Sequence, residues 1–288
     1  MCFSLVHRRS MKGKGKMVHL FTAFLAIMTM TYGQANELKL VWSDEFDYTG
    51  LPDKSKWDYE EGFIRNREMQ YYTKERKENA RVENGTLIIE GRKEQFRNPR
   101  YREGSRRWNQ NREFAQYTSA ALVTLNKASW RYGRIEVKAK LPQGKGVWPA
   151  IWTLGTNIKS IGWPRCGEID IMEFVGHDPN RVHANAHYGV NGKHLSDGGK
   201  IQTEAPYDDF HIYAMNWYPD RIDFFFDETK YHSFTIDKAG KGEDNPFRKQ
   251  NYLLINLALG GSWGKDIDDS ILPQKYVIDY VRVYELGQ

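Results

Sequence analysis

The feature that most constrains this chain is a hydrophobic pattern that alternates residue by residue, in short runs, and never settles into a helical repeat. Arg134–Lys140 reads RIEVKAK, with Ile135, Val137 and Ala139 on one face and Arg134, Glu136, Lys138 and Lys140 on the other. Thr86–Glu90 (TLIIE), Ile222–Phe226 (IDFFF), Tyr252–Leu259 (YLLINLAL) and Tyr276–Tyr284 (YVIDYVRVY) are of the same kind. Alternation of period two buries one face of a strand and wets the other. Turn signals punctuate the runs: Asn84-Gly85, Pro142-Gln143-Gly144, Pro219-Asp220 and Gly260-Gly261. Many short strands without intervening helices predict an all-β domain, an antiparallel sandwich or barrel. A body of this length fits one such domain, and a large curved sheet supplies a cleft on its concave face.

Charge narrows the function classes. The formal net charge of +5 comes from the N-terminal segment: residues 1–33 hold Arg8, Arg9, Lys12, Lys14 and Lys16 and no acid, so the rest balances 37 basic against 37 acidic residues. A neutral body argues against nucleic acid, whose backbone is bound mainly by Lys and Arg. Met11–Lys16 (MKGKGK), the apolar run Leu20–Met30 and the small residues that follow form the pattern of a secretory signal peptide. We expect a signal over 1–35, with Gly33 and Ala35 as alternative cleavage points and Met11 as a second candidate start. A single domain over 36–288 would then be exported to periplasm or medium, free of the membrane; an uncleaved interfacial anchor is the rival. Cys2 would leave with the signal, so Cys166 has no partner and is expected to pack as a small residue.

The chemistry concentrates in Gly167–Gly176, GEIDIMEFVG. On a strand Glu168 and Asp170 share one face and Ile169 and Ile171 the other, while Glu173 is out of phase by one residue. A β-bulge between Asp170 and Glu173 would restore the face and aim all three acids the same way. Like charges side by side repel, so a purely structural role, a solvated strand face, explains the cluster less well than chemistry does. Calcium loops alternate Asp, Asn and Gly in a turn, which is not this pattern. Paired carboxylates suit glycosidic cleavage, in which a retaining enzyme uses one as nucleophile and one as acid/base. Two Glu five positions apart on a bulged strand have Cα atoms roughly 13 Å apart, and their heads can meet across one sugar ring. Trp148, Trp152 and Trp163 lie just upstream and Trp263 follows the Gly-Gly turn, as aromatics available to stack on sugar faces. His183, Asn185 and His187 alternate on one face of the next predicted strand; His183 is expected to be an ordinary surface residue.

At these residues the chain resembles glycoside hydrolase family 16, in the branch with the longer signature Glu-x-Asp-x-x-Glu. Further blocks match in order: Trp42-Ser43-Asp44-Glu45-Phe46, Asn66-Arg67-Glu68-Met69-Gln70-Tyr71-Tyr72-Thr73, Gly146-Val147-Trp148-Pro149-Ala150-Ile151-Trp152, Asn256–Gly261 and Asp279–Tyr284. The resemblance implies a jelly-roll β-sandwich of two curved antiparallel sheets with a substrate cleft on the concave face. It implies endo-hydrolysis of β-1,3-glucan of the laminarin type, with mixed-linkage β-1,3-1,4-glucan also accepted. Glu168 then matches the nucleophile, Asp170 the assisting acid and Glu173 the acid/base. Trp148, Trp152, Trp163 and Trp263 would line subsites, Asn66 would bond sugar hydroxyls, and His187 would stand near the acid/base. No cofactor is needed for the chemistry. A structural calcium ion is implied on the convex side, held by Glu45, the Gly85 carbonyl and Asp279; the alternative is that Asp279 pairs with a cation. A monomer is expected, with a polysaccharide as partner. A galactanase of the same fold and a non-catalytic glycan-binding sandwich are the competing functions. Two polar segments, 95–114 and 191–206, depart from the family pattern and are read as loops.

Overall fold

In the computed structural model, residues 38–287 are described, and the expected signal segment and second start lie outside them. The strands are β1 (Lys39–Asp44), β2 (Asp58–Tyr59), β3 (Gln70–Tyr72), β4 (Ala80–Glu83), β5 (Thr86–Arg97), β6 (Phe114–Ser119), β7 (Ala121–Val123), β8 (Gly133–Lys140) and β9 (Val147–Gly155). They continue as β10 (Glu168–Glu173), β11 (Arg181–Val190), β12 (Lys193–Gln202), β13 (His211–Trp217), β14 (Arg221–Phe226), β15 (Thr229–Thr235), β16 (Asn251–Leu259) and β17 (Gln274–Glu285). The two α-helices among the described residues are single turns, α1 (Ile158–Ile161) and α2 (Gly261–Gly264).

Ten strands form one sheet in the order β15-β14-β13-β8-β17-β5-β6-β3, with β1 added to β17 and β4 to β5. Seven form the other, β12-β11-β10-β9-β16-β7-β2. The pairs are antiparallel except β3 with β6, which run parallel at the end of the larger sheet. The sandwich is of the jelly-roll type that the family resemblance implied.

The alternation in β8 decides which face looks inward: Ile135, Val137 and Ala139 are buried and the charged residues between them are half-exposed. Val182, Ala184 and Ala186 of β11 and Leu253, Ile255 and Leu257 of β16 meet them from the smaller sheet in one continuous core. Each such aliphatic side chain contributes about 1.5–3 kcal/mol relative to exposure.

Three readings need correction. β16 does not have a wet face, since all nine residues are buried. It lies inside the smaller sheet, and its outer residues Tyr252 and Asn256 form the floor of a cleft. Segment 191–206 is not a loop: residues 193–202 are β12, paired with β11 along its whole length. As an edge strand it is largely exposed on both faces, so it carries no apolar alternation to betray it. Segment 95–114 is a loop only over 98–113, because β5 runs on to Arg97. There the Asn98 amide donates to the carbonyls of Asn109 and Arg112 and ties the loop across its base.

Candidate active site

The site is built on the outer face of β10. The strand breaks register with β11 between Asp170 and Glu173, and with β9 between Asp170 and Met172. This is the bulge required by the sequence. Ile169, Ile171 and Met172 are all 0% exposed in the inter-sheet core, so two successive residues point inward and Glu173 returns to the face of Glu168 and Asp170. Residues Glu168, Asp170 and Glu173 line one cleft of about 410 Å³.

Each carboxyl is held by a neighbouring strand or loop. The Trp148 indole donates to Glu173 Oε1 at 3.1 Å, and the Trp163 indole donates to Glu168 Oε2 at 3.0 Å. His187 stands opposite Glu168 in the β10–β11 register, with its Nε2 3.3 Å from Asp170 Oδ2 and 3.9 Å from Glu168 Oε1. Asp170 Oδ2 is buried and makes no well-aligned hydrogen bond, which leaves it poised to share a proton with a neighbouring acid.

Burial dominates the electrostatics. It raises the Glu168 carboxyl to about 8, with the Asp170 charge adding to the effect and His187, Arg65 and the Trp163 indole opposing it. Burial raises Asp170 as well. Glu173 is pushed well above the ordinary range, first by burial and then by the charges of Asp170 and Glu168. Three acids in one pocket cannot all ionise, and burial with two like charges beside it holds Glu173 toward its protonated form.

The expected sugar contacts divide into two kinds. Trp148 and Trp152 line the cleft but are only 8% and 6% exposed. Their N–H groups are engaged, Trp148 on Glu173 and Trp152 on Asn256 Oδ1 at 2.7 Å. They act as floor and braces. Trp163 is 48% exposed, with one part of its ring against His194 and the rest open to solvent. Trp263 is half-buried, edge-on to Trp148 at 5.5 Å and to His183 at 5.1 Å. His183 is therefore not the ordinary surface residue expected; it stands opposite Glu173 in register and packs in the cleft wall. His187, expected near the acid/base, stands beside Glu168 and Asp170, and its charge also acts on Glu173. Asn66 is an exposed rim residue in a left-handed conformation (φ 52°), its amide 3.4 Å from Glu68 Oε1. Cys166 is buried among apolar neighbours, and burial raises its thiol to about 11, so it is inert packing.

Several contributors carry no local sequence signal. Arg65 stacks over Trp152 at 4.8 Å and is ion-paired with Glu60. Asn256 links Trp152 to the Tyr72 hydroxyl, to which its amide donates at 2.9 Å. His194 of β12 lies 2.9 Å from His187 and 4.6 Å from the Trp163 ring. Only the pairing of distant strands reveals them.

Register places segments next to two of the residues expected to hold calcium beside the middle of β17, where Asp279 lies, with Asp44 opposite Val281 and Leu87 opposite Ile278. Both carboxylates there are taken by cations. Glu45 forks with Arg282, and Asp279 pairs with Lys138 at 2.8 Å. The donor set is neutralised and does not suit a divalent ion. Glu168, Asp170 and His187 have ligand atoms within 4.8 Å of one another, and burial holds both carboxyls toward their protonated forms.

Comparison with known proteins agrees with this geometry. Residues 67–282 match the family model described as glycosyl hydrolases family 16. The chain is 44% identical to a beta-glucanase of Rhodothermus marinus over 263 residues, 87% of this chain and 86% of that one. It superposes on the crystal structure of the laminarinase from Rhodothermus marinus with a TM-score of 0.77 at 42% identity, covering 88% of this chain and all of that one. A structure from work on endo-acting O-glycanases, which prominent members of the human gut microbiota express to initiate mucin breakdown, aligns with a TM-score of 0.81 at 38% identity, over 86% and 91% of the two chains. With the bulged acidic strand, the two-sheet sandwich and these matches in agreement, the chain belongs to glycosyl hydrolases family 16.

Proposed function

We propose that the protein is an endo-β-glucanase that cleaves β-1,3-glucan, and mixed-linkage β-1,3-1,4-glucan as well, with retention of the anomer. The observation that carries this reading is the alignment of Glu168, Asp170 and Glu173 on one face by the β10 bulge. Glu173, held toward its protonated form by burial and its acidic neighbours, gives its proton to the leaving oxygen. Glu168 attacks the anomeric carbon, and its developing ester is flanked by the Trp163 N–H. Glu173 then takes a proton from water, which releases the sugar from Glu168. Asp170 takes up or returns a proton as its neighbours change charge. A retaining outcome requires the two Glu carboxyls to act on one ring from opposite sides.

Product analysis on laminarin, lichenan, barley β-glucan, curdlan, agarose and desulfated mucin glycans tests the substrate. Rapid release of short oligosaccharides from laminarin supports the reading; activity on galactose-containing glycans alone would replace it with a galactanase. That second reading draws on the likeness to the mucin-directed structure. NMR of the first product should show the β-anomer, and early α-anomer would exclude the double displacement. Export is part of the proposal and rests on the basic and apolar pattern of residues 11–35. Amino-terminal sequencing of the protein recovered outside the cytoplasm should begin near Gln34 or Asn36.

A further inference from the structure

The rim of the cleft has two sides. Successive residues of the 66–69 segment alternate across it: Asn66 and Glu68 line the catalytic cleft, while Arg67 and Met69 line a separate cavity of about 580 Å³. The turn at α2 divides in the same way. Trp263 packs on the cleft residue Trp148, whereas Ser262, Lys265 and Asp266 face the cavity. The two segments are pinned together by the Ser262 N–H donating to the Asn66 carbonyl at 2.9 Å. The wall between cleft and cavity is therefore one backbone thick.

The cavity is cationic in a neutral protein. Arg67, Arg112 and Lys265 line it against a single acid, Asp266. None of the three cations forms an ion pair within 4.0 Å among the described residues. Arg112 comes from the 98–113 loop and is half-buried, its guanidinium 5.2 Å from the Phe63 ring and 3.7 Å from Met69 Sδ. Burial with no carboxylate beside it weighs against its charge. A partly buried arginine commonly finds a carboxylate partner, and its planar fork matches sulfate and carboxylate. Asp269, the next acid nearby, is already bonded to Lys93 and to the Tyr117 hydroxyl, each at 2.6 Å. Asn66 and Arg67 are both left-handed, at φ 52°, a conformation that non-glycine residues adopt at a cost and that is found at functional sites.

We propose that this cavity is an anion subsite that receives a sulfate or carboxylate substituent of a glycan chain lying in the cleft. The inference rests on the glycan-hydrolase reading of the cleft but not on the linkage that is cut. A substituent that crosses the Asn66–Trp263 rim meets Arg112 as the fork and Arg67 and Lys265 as screening charges.

The test compares laminarin, sulfated laminarin and carboxymethyl curdlan as substrates for the wild type, for Arg112→Met and for the surface double variant Arg67→Gln/Lys265→Gln. The double variant covers the case in which loss of Arg112 disturbs the loop. Each variant should lower kcat/KM on the charged glucans about tenfold, the size of a lost charge-assisted hydrogen bond, while staying within about twofold on laminarin. The sulfated and carboxymethylated arms tell which anion is preferred. An unchanged ratio of charged to neutral kcat/KM in both variants would overturn the proposal. Should the wild type fail on laminarin, the glucanase reading falls, and affinity electrophoresis in sulfated laminarin still decides the cavity. There, retardation of Glu168→Gln that persists undiminished after adding Arg112→Met would count against it.

Discussion

Glu168 faces conflicting demands. It must ionise to attack, yet burial and Asp170 hold its carboxyl up to about 8. The acid limb of the kcat/KM profile should therefore lie well above the ordinary carboxyl value, toward neutrality. Arg65 favours the ionised form, so Arg65→Met should move that limb further up; a limb that stays in place or moves down would refute this electrostatic role. The same shift bears on stability. A carboxyl whose folded pKa is raised above its unfolded value binds more protons in the native state, so its contribution is full below about 4.5 and declines as pH rises toward about 8. Glu168→Gln should remove that decline. At pH 8 we expect its Tm to exceed that of the wild type by about 2–4 °C, as for roughly 1 kcal/mol, while turnover falls by a factor of about 10³ or more. Calorimetry at pH 5 and pH 8 checks it; an equal Tm at pH 8 would mean that the carboxyl is relaxed.

At the scale of the element, β10 depends on one extra residue. Met172 lets Ile171 and itself point into the core and still returns Glu173 to the cleft. Deleting Met172 would leave Glu168-Ile169-Asp170-Ile171-Glu173, which alternates without a bulge and keeps the three acids on the cleft face. The deletion should therefore fold, with a circular dichroism spectrum like that of the wild type, and keep measurable turnover, lowered because Glu173 moves along the strand and the Met172 packing is lost. Met172→Ala keeps the count and leaves a cavity, which should lower stability by about 2–5 kcal/mol in urea titration yet retain measurable turnover. An unfolded or wholly inactive deletion would show that the bulge itself, and not only the shared face of the acids, is required. The bulge was legible because Glu168, Asp170 and Glu173 share a face only with it. β12 was not, because an edge strand exposed on both sides has no apolar period.

At the scale of the molecule, the ends of the domain are tied together. β1 pairs with residues 281–285 of β17, and β17 bridges β5 and β8 in the middle of the larger sheet. Truncation after Asp279 removes Val281 and Val283 from the core and breaks these pairings together, so no cooperative thermal transition is expected. The Glu45–Arg282 and Lys138–Asp279 pairs already neutralise the corner where calcium was expected. Calcium at about 1 mM should then leave Tm within about 1 °C, because only an ion that binds the native state raises it; a clear rise would show that the cation opens both pairs.

The sequence alone determined the β class, the bulge and the three acids. Each is written in the spacing of residues a few positions apart, and backbone geometry turns such spacing directly into faces. Only the tertiary structure decided the surroundings. Arg65 over Trp152, Asn256 between Trp152 and Tyr72, His194 beside His187, and the cations gathered around Arg112 join segments from across the chain. Such neighbours are set by the pairing order of strands and the packing of loops, and no local period records either.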